Sequence, residues 1–250
     1  MDLTERSGTN GRRHPWELAR AGFFISLLRQ HGLLDGSARW LDVGSGDAWL
    51  AAQIRNAVAD EATFTCWDVN YTSEELESLG AEIEGVRFTA ARPAESFDRV
   101  LVLDVIEHVE DDEDFVARIV DELVGPGAFV LVSVPAYQSL FSSHDHLLRH
   151  HRRYSPSACR RVLVDAGLKI VADGGLFASL LPPRLVQLAG ERLGVLKGAS
   201  SGVGDWRGGS LVTTAVEQGL TLDAKVSLAL GERRISVPGL SFWALCRRAT

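Results

Sequence analysis

From Ala38 onward the chain alternates short apolar runs with helical stretches, and this alternation narrows the fold more than any other feature. The runs are Ala38–Val43, Thr63–Trp67, Val86–Thr89, Arg99–Leu103 and Ala128–Val134. Their apolar side chains fall on neighbouring positions, as in strands covered on both faces. The clearest intervening helix is Asp112–Val124. There Phe115, Ile119 and Leu123 share one stripe, Asp111 or Asp112 caps the start, and Gly125-Pro126-Gly127 stops the end. Doubly covered strands separated by helices call for an α/β fold with a doubly wound, mostly parallel sheet.

The flanks complete the expected single domain of residues 1–250. Residues 1–13 are polar and expected to be flexible. Pro15 reads as the first residue of a helix carrying Trp16, Phe23, Phe24, Leu27 and Leu28, closed by Gly32. Ser155-Pro156 opens a later helix that ends at Gly167, and Leu168–Ala172 and Ser241–Arg247 read as the last strands. Between these strands, residues 174–236 break the alternation. They hold an apolar helix at Leu176–Leu188, a Gly/Ser-rich run from Gly198 to Gly209 and a helical stretch at Leu211–Leu230. We expect this segment to form a cap or lid.

A net charge of −7 argues against a nucleic-acid partner, which calls for a basic balance. Cys66, Cys159 and Cys246 are too few and too scattered for a disulfide framework or a CxxC metal site. The first residues lack the apolar core of a signal peptide, and Gly174–Gly190 is short and interrupted by Pro182-Pro183. A cytoplasmic protein without stable membrane insertion is expected, of open oligomeric state.

The first chemical motif is Trp40-Leu-Asp-Val-Gly-Ser-Gly-Asp-Ala-Trp49, at a strand end and a helix start. Glycines there let the backbone approach a ligand, and the helix start offers free N–H groups. Asp68 ends the next strand, where a carboxylate accepts from ribose hydroxyls. Together they indicate a nucleoside-containing cofactor. The spacing Gly44-x-Gly46-x-Ala48, with Asp47 inside the turn, disfavours a dinucleotide pyrophosphate, since a carboxylate there would repel it.

These residues resemble the first motif of class I S-adenosylmethionine-dependent methyltransferases. The run Phe97-Asp-Arg-Val-Leu-Val-Leu-Asp-Val-Ile-Glu-His-Val-Glu110 is similar to the fourth-strand motif of their ubiquinone-methyltransferase-like branch. His14-Pro-Trp-Glu-Leu-Ala-Arg20, Val134-Pro-Ala136 and the His144–Tyr154 segment look like a bacterial subgroup with an HWWF-x-x-R helix and an HD-x4-H-x-RRY stretch. The resemblance implies S-adenosylmethionine as cofactor, with Gly44, Ser45, Gly46 and Asp47 around the methionine portion. It implies Asp68 and Val69 at the ribose, Asp104 and Val105 as the substrate-side floor, and Arg20 at the cofactor carboxylate. It also implies a Rossmann-like seven-strand sheet with a helical cap insertion and glycan or secondary-metabolite acceptors, while the apolar helix Leu176–Leu188 fits a lipid-linked acceptor.

Four of the seven histidines fall between His144 and His151. One of them, His144 with Asp145 beside it or else His150, is a candidate base for a hydroxyl acceptor, and His108 after the fourth strand is another. As metal ligands His144, Asp145 and His150 lack a recognised spacing, and no metal is expected. In a purely structural role, Arg152 and Arg153 would pair with the acidic run Glu107–Asp114 while Tyr154 packs. Trp49 or Trp67 could stack on adenine or simply fill the core, and Trp206-Arg207 could reach substrate. Between Asp104 and Glu122 there are nine carboxylates against Arg118 alone, whereas His144–Arg161 holds five arginines and four histidines against Asp145. An anionic small-molecule acceptor therefore remains compatible with the acidic whole. The expected reaction is methyl transfer to a hydroxyl oxygen. The alternative is a non-catalytic S-adenosylmethionine-binding protein, and a nicotinamide-dependent oxidoreductase is a third reading.

Overall fold

The computed structural model describes residues 13–195, 209–233 and 235–249. The N-terminal segment expected to be flexible, apart from Arg13, and Trp206-Arg207 with most of the Gly/Ser-rich run lie outside the described residues.

Helix α1 (Pro15–Gln30) begins where Pro15 fits a first turn, and His14 and Glu17 cap each other's backbone N–H groups. Then follow β1 (Arg39–Val43), α2 (Trp49–Arg55), β2 (Thr63–Trp67), α3 (Ser73–Glu82), β3 (Val86–Thr89) and β4 (Phe97–Leu103). Next come α4 (Asp112–Leu123), β5 (Val124–Pro135), the short α5 (Ser143–Leu147), α6 (Pro156–Asp165) and β6 (Leu168–Leu176). Helices α7 (Leu181–Arg192) and α8 (Ser210–Glu232) precede β7 (Ser241–Arg248). The seven strands form one sheet in the order β3-β2-β1-β4-β5-β7-β6. All neighbours are parallel except β7, which runs antiparallel to both β5 and β6. The chain reverses its direction of winding between β1 and β4, and a crevice opens beyond the carboxyl ends of those two strands.

Three boundaries differ from expectation. Gly125-Pro126-Gly127 does not separate α4 from β5 but lies inside β5, because Val124 already pairs with Phe97 and the register slips before Arg99. Strand β6 runs to Leu176 rather than Ala172, through Gly174 and Gly175. A Cβ on Gly175 would sit 2.3 Å from the Val237 carbonyl oxygen, so the glycine serves a close backbone crossing within the strand. Helix α7 starts at Leu181, with Pro182 and Pro183 in its first turn, where no N–H is needed.

The residues expected to form a cap divide between two roles. Leu220 and Ala224 of α8 are buried with Phe23, Phe24 and Trp243, so α8 closes the core beside α1. Helix α7 lies over the carboxyl end of the sheet, where Arg184 reaches Ser142 and Asp145. On the opposite face, α4 and α6 bury Val116, Ile119 and Leu163 against Phe242 and Ile106. Each large apolar side chain so buried contributes about 2 to 3 kcal/mol. Among the described residues no helix is long and apolar enough to cross a membrane.

Candidate active site

The turn after β1 is built as a cradle. Gly44 has φ +65°, and a Cβ there would lie 2.8 Å from Val105 Cγ2, so the position demands glycine on both counts. Ala48 adopts the left-handed conformation at φ 55° just before α2. The loop is tied to β2: the Gly46 N–H donates to Asp68 Oδ2 at 3.0 Å, and the Tyr71 hydroxyl donates to the Gly46 carbonyl at 2.8 Å. Ser45 Oγ lies 2.8 Å from the same hydroxyl. Asp68 Oδ1 accepts from the Asn70 backbone and side chain at 2.9 and 3.1 Å. Gly44, Asp68, Val69, Asn70 and Val105 line a cleft of 660 Å³, with Trp67 in its wall.

A second cavity, of 510 Å³, adjoins the cleft at Asp104, His108 and Leu148, which line both. Its floor carries Glu107, His108, His144 and His150, and its roof carries Pro183 of α7, Val216 and Leu220 of α8, and Leu240. Asp104, at φ 57°, turns its carboxylate to Ser133 Oγ at 2.8 Å and to Arg20 at 2.6 Å. Asp145 is fully buried. It accepts from Arg153 Nε at 2.7 Å and from the Ser142 N–H at 3.0 Å, and it lies 2.9 Å from His150 Nδ1. Burial alone would raise its pKa, but these His150 and Arg153 contacts outweigh it and hold the carboxyl well below the usual range. His108 and His150 meet edge to face at 4.7 Å.

The methyltransferase-domain family matches residues 16–173, which include both motif strands and the histidine segment. No curated protein sequence matches the chain. Among solved structures, a candidate sarcosine dimethylglycine methyltransferase of Galdieria sulphuraria superposes with TM-score 0.58 at 15% identity, covering 93% of this chain and 86% of that one. The [4+2]-cyclase SpnF gives 0.57 at 16%, covering 97% and 85%. The N-methyltransferase NodS from Bradyrhizobium japonicum, solved with S-adenosylhomocysteine, gives 0.54 at 12%, covering 100% and 95%. At such identities these three share the fold, and a cyclase among them shows that the fold does not fix the reaction. The extent of the family match settles the assignment.

The chain belongs to the methyltransferase-domain family.

It is a methyltransferase that uses S-adenosylmethionine. The cleft suits that cofactor, because the bare backbone at Gly44 and the carboxylate of Asp68 stand where a nucleoside needs room and an acceptor. About four lone-pair positions belong to a carboxylate. Three on Asp68 are taken, so a ribose hydroxyl placed there would find one, and a second if the Asn70 side chain swung away. When bound there, S-adenosylmethionine supplies an electrophilic methyl on its sulfonium.

Several expected residues of the methyltransferase have partners that the motifs did not show. Asp47 Oδ1 accepts from the Trp49 N–H, and its other oxygen pairs with Arg13, a partner the sequence gave no means of finding. Arg20, expected at the cofactor carboxylate, pairs with Asp104 and lines the second cavity. Asp145 orients His150 rather than His144, because Ser142 and Asp145 cap the first turn of α5 and turn the carboxylate away from its neighbour in sequence. Of the two arginines expected on the acidic run, Arg152 does pair with Asp112, whereas Arg153 goes to Asp145. Tyr154 packs in the core and donates to the same Asp112. Trp67 lines the cleft, while Trp49 carries the Arg13 guanidinium over its ring. Arg184, half-buried against Gln187, Ser142 and Asp145, went unnoticed in the sequence because it sits in a segment read only for its hydrophobicity.

Proposed function

We propose that this methyltransferase transfers its methyl group to an oxygen of a small acceptor held in the 510 Å³ chamber, with His144 taking the acceptor's proton. The observation that carries the reading is the shared wall at Asp104, His108 and Leu148, which sets an acceptor chamber rich in imidazoles directly against the cofactor cleft. Burial, and then the Arg184 guanidinium, lowers the pKa of His144, so the imidazole is neutral and able to accept a proton at pH 7. A hydroxyl needs such a base as the methyl arrives, whereas an amine that enters neutral does not.

The chamber also indicates the acceptor's shape. Pro183, Val216, Leu220 and Leu240 favour an apolar body. Arg153 and Arg184 share the single carboxylate of Asp145, and Arg184 Nε has no hydrogen-bond partner among the described residues, which leaves a donor for an acidic hydroxyl or a nearby anionic group. A phenol or hydroxylated metabolite, free or carried on a glycan or lipid, has this chemistry. We take α7, with Val216 and Leu220 of α8, as the acceptor-specific part of one methyltransferase domain. The test supplies S-adenosylmethionine labelled with ¹³C in its methyl group and a panel of phenolic, alcoholic and amine acceptors. Label in a methoxy resonance, with His144→Ala lowering kcat about 100-fold at unchanged cofactor affinity, is the expected result. Label on nitrogen, or full activity in His144→Ala, would overturn the corresponding half of the reading.

A further inference from the structure

We propose that Glu107, His108 and His150 bind one divalent transition-metal cation on the floor of the acceptor chamber. One ligand atom from each residue lies within 4.8 Å of the other two. Bonds about 2.1 Å long around a tetrahedral ion set ligand atoms about 3.4 Å apart, so modest side-chain rotations close the set.

The observation pointing to a ligand is independent of that spacing. Glu107 is completely buried, yet neither of its carboxylate oxygens has a hydrogen-bond partner among the described residues. Buried carboxylates are otherwise paired, hydrogen-bonded or metal-bound. The neighbouring charges are already committed: Asp104 holds Arg20, and Asp145 holds Arg153. Glu107 is thus a strong ligand with its bonding capacity unspent, in the wall of a cavity wide enough to admit an ion.

His150 adds a feature typical of metal-binding imidazoles. Its Nδ1 lies 2.9 Å from Asp145, which places the ring proton on that nitrogen and presents Nε2 as the lone-pair atom. His108 packs edge-on against this ring, and both imidazoles line the chamber beside Glu107. Two imidazoles and one carboxylate suit Zn²⁺, Co²⁺, Mn²⁺ or Fe²⁺ better than Mg²⁺ or Ca²⁺, which prefer oxygen-only cages. Three protein ligands leave positions open toward the chamber, and an acceptor hydroxyl bound there would lose its proton more readily. That last role rests on the oxygen-acceptor reading above, whereas cation binding does not.

The test uses untagged full-length protein stripped with a chelator, without cofactor or acceptor. Calorimetric titration with Zn²⁺ should give one equivalent bound, and Co²⁺ should develop d–d absorption bands. Glu107→Gln should lower Zn²⁺ affinity at least tenfold while S-adenosylhomocysteine binding stays near that of the parent, and His108→Ala should lower Zn²⁺ affinity by a similar factor, both variants remaining folded by circular dichroism. His146→Ala, which alters a ring packed on Phe141, should leave the affinity unchanged. Absence of Zn²⁺ binding to the parent protein, or Zn²⁺ affinity unchanged in both Glu107→Gln and His108→Ala, would overturn the site. Loss of the Co²⁺ bands to excess Mg²⁺ would overturn its assignment to a transition-type cation.

Discussion

Single residues shape the cleft beside β1 and β2, and two of them do so through backbone conformation. Gly44 combines φ +65° with a missing Cβ that Val105 would otherwise strike, so Gly44→Ala should weaken S-adenosylhomocysteine binding by tenfold or more in calorimetry. Adding Val105→Ala should restore part of the loss, since it removes the clash but not the backbone strain. Ala48 is the opposite case, because it holds a left-handed conformation while carrying a side chain. Ala48→Gly should stabilise the protein by about 1 kcal/mol in urea unfolding, with cofactor affinity unchanged. The glycines were legible as a cradle from their spacing, and Asp68 from its distance along the chain. The pairing of Asp145 with His150 was not, because it depends on a one-turn helix cap that directs the carboxylate away from its sequence neighbour.

At the scale of elements, strand positions were easy to read where both faces are apolar and hard where glycine entered. Gly174 and Gly175 read as a break after Ala172, yet the strand continues because the returning chain crosses it at backbone distance. A Cβ on Gly239 would meet the Leu176 nitrogen at 2.2 Å, and one on Gly175 the Val237 oxygen at 2.3 Å. Gly175→Ala and Gly239→Ala should therefore each cost about 3 kcal/mol or more, read from the shift in denaturant midpoint. Gly219 in α8 has nothing within 4 Å of its would-be Cβ, so Gly219→Ala should instead stabilise by about 0.5 to 1 kcal/mol. The role of α8 was not legible, since its apolar residues fit a lid as well as a core wall. Only its contact with α1 decides between them.

For the whole molecule, the acidic total conceals a division that the fold turns into ion pairs. Arg152 of the basic stretch reaches Asp112 of the acidic one, because the two segments follow the neighbouring strands β5 and β4. Buried acids then set the pH dependence of stability. Burial raises Asp42 in β1 to about 7, and it also raises Glu107, with Asp104 adding to the effect. The folded state therefore binds more protons than the unfolded chain between about pH 4 and 7, and stability falls as pH rises through that window. Asp145 has the opposite sign: its stabilisation is present above the unfolded carboxyl range and is lost on acidification. The melting temperature should consequently peak in mildly acidic buffer and decline toward pH 8, and Asp42→Asn should flatten the decline.

The proposed cofactor and acceptor sites are two cavities that meet at Asp104, His108 and Leu148. A crystal structure with S-adenosylhomocysteine tests this most directly. The nucleoside should lie in the cleft over Gly44 with a ribose hydroxyl on Asp68, its sulfur facing His108, and the chamber beneath α7 should stay open. Product seated in the chamber, or a ribose out of reach of Asp68, would contradict it.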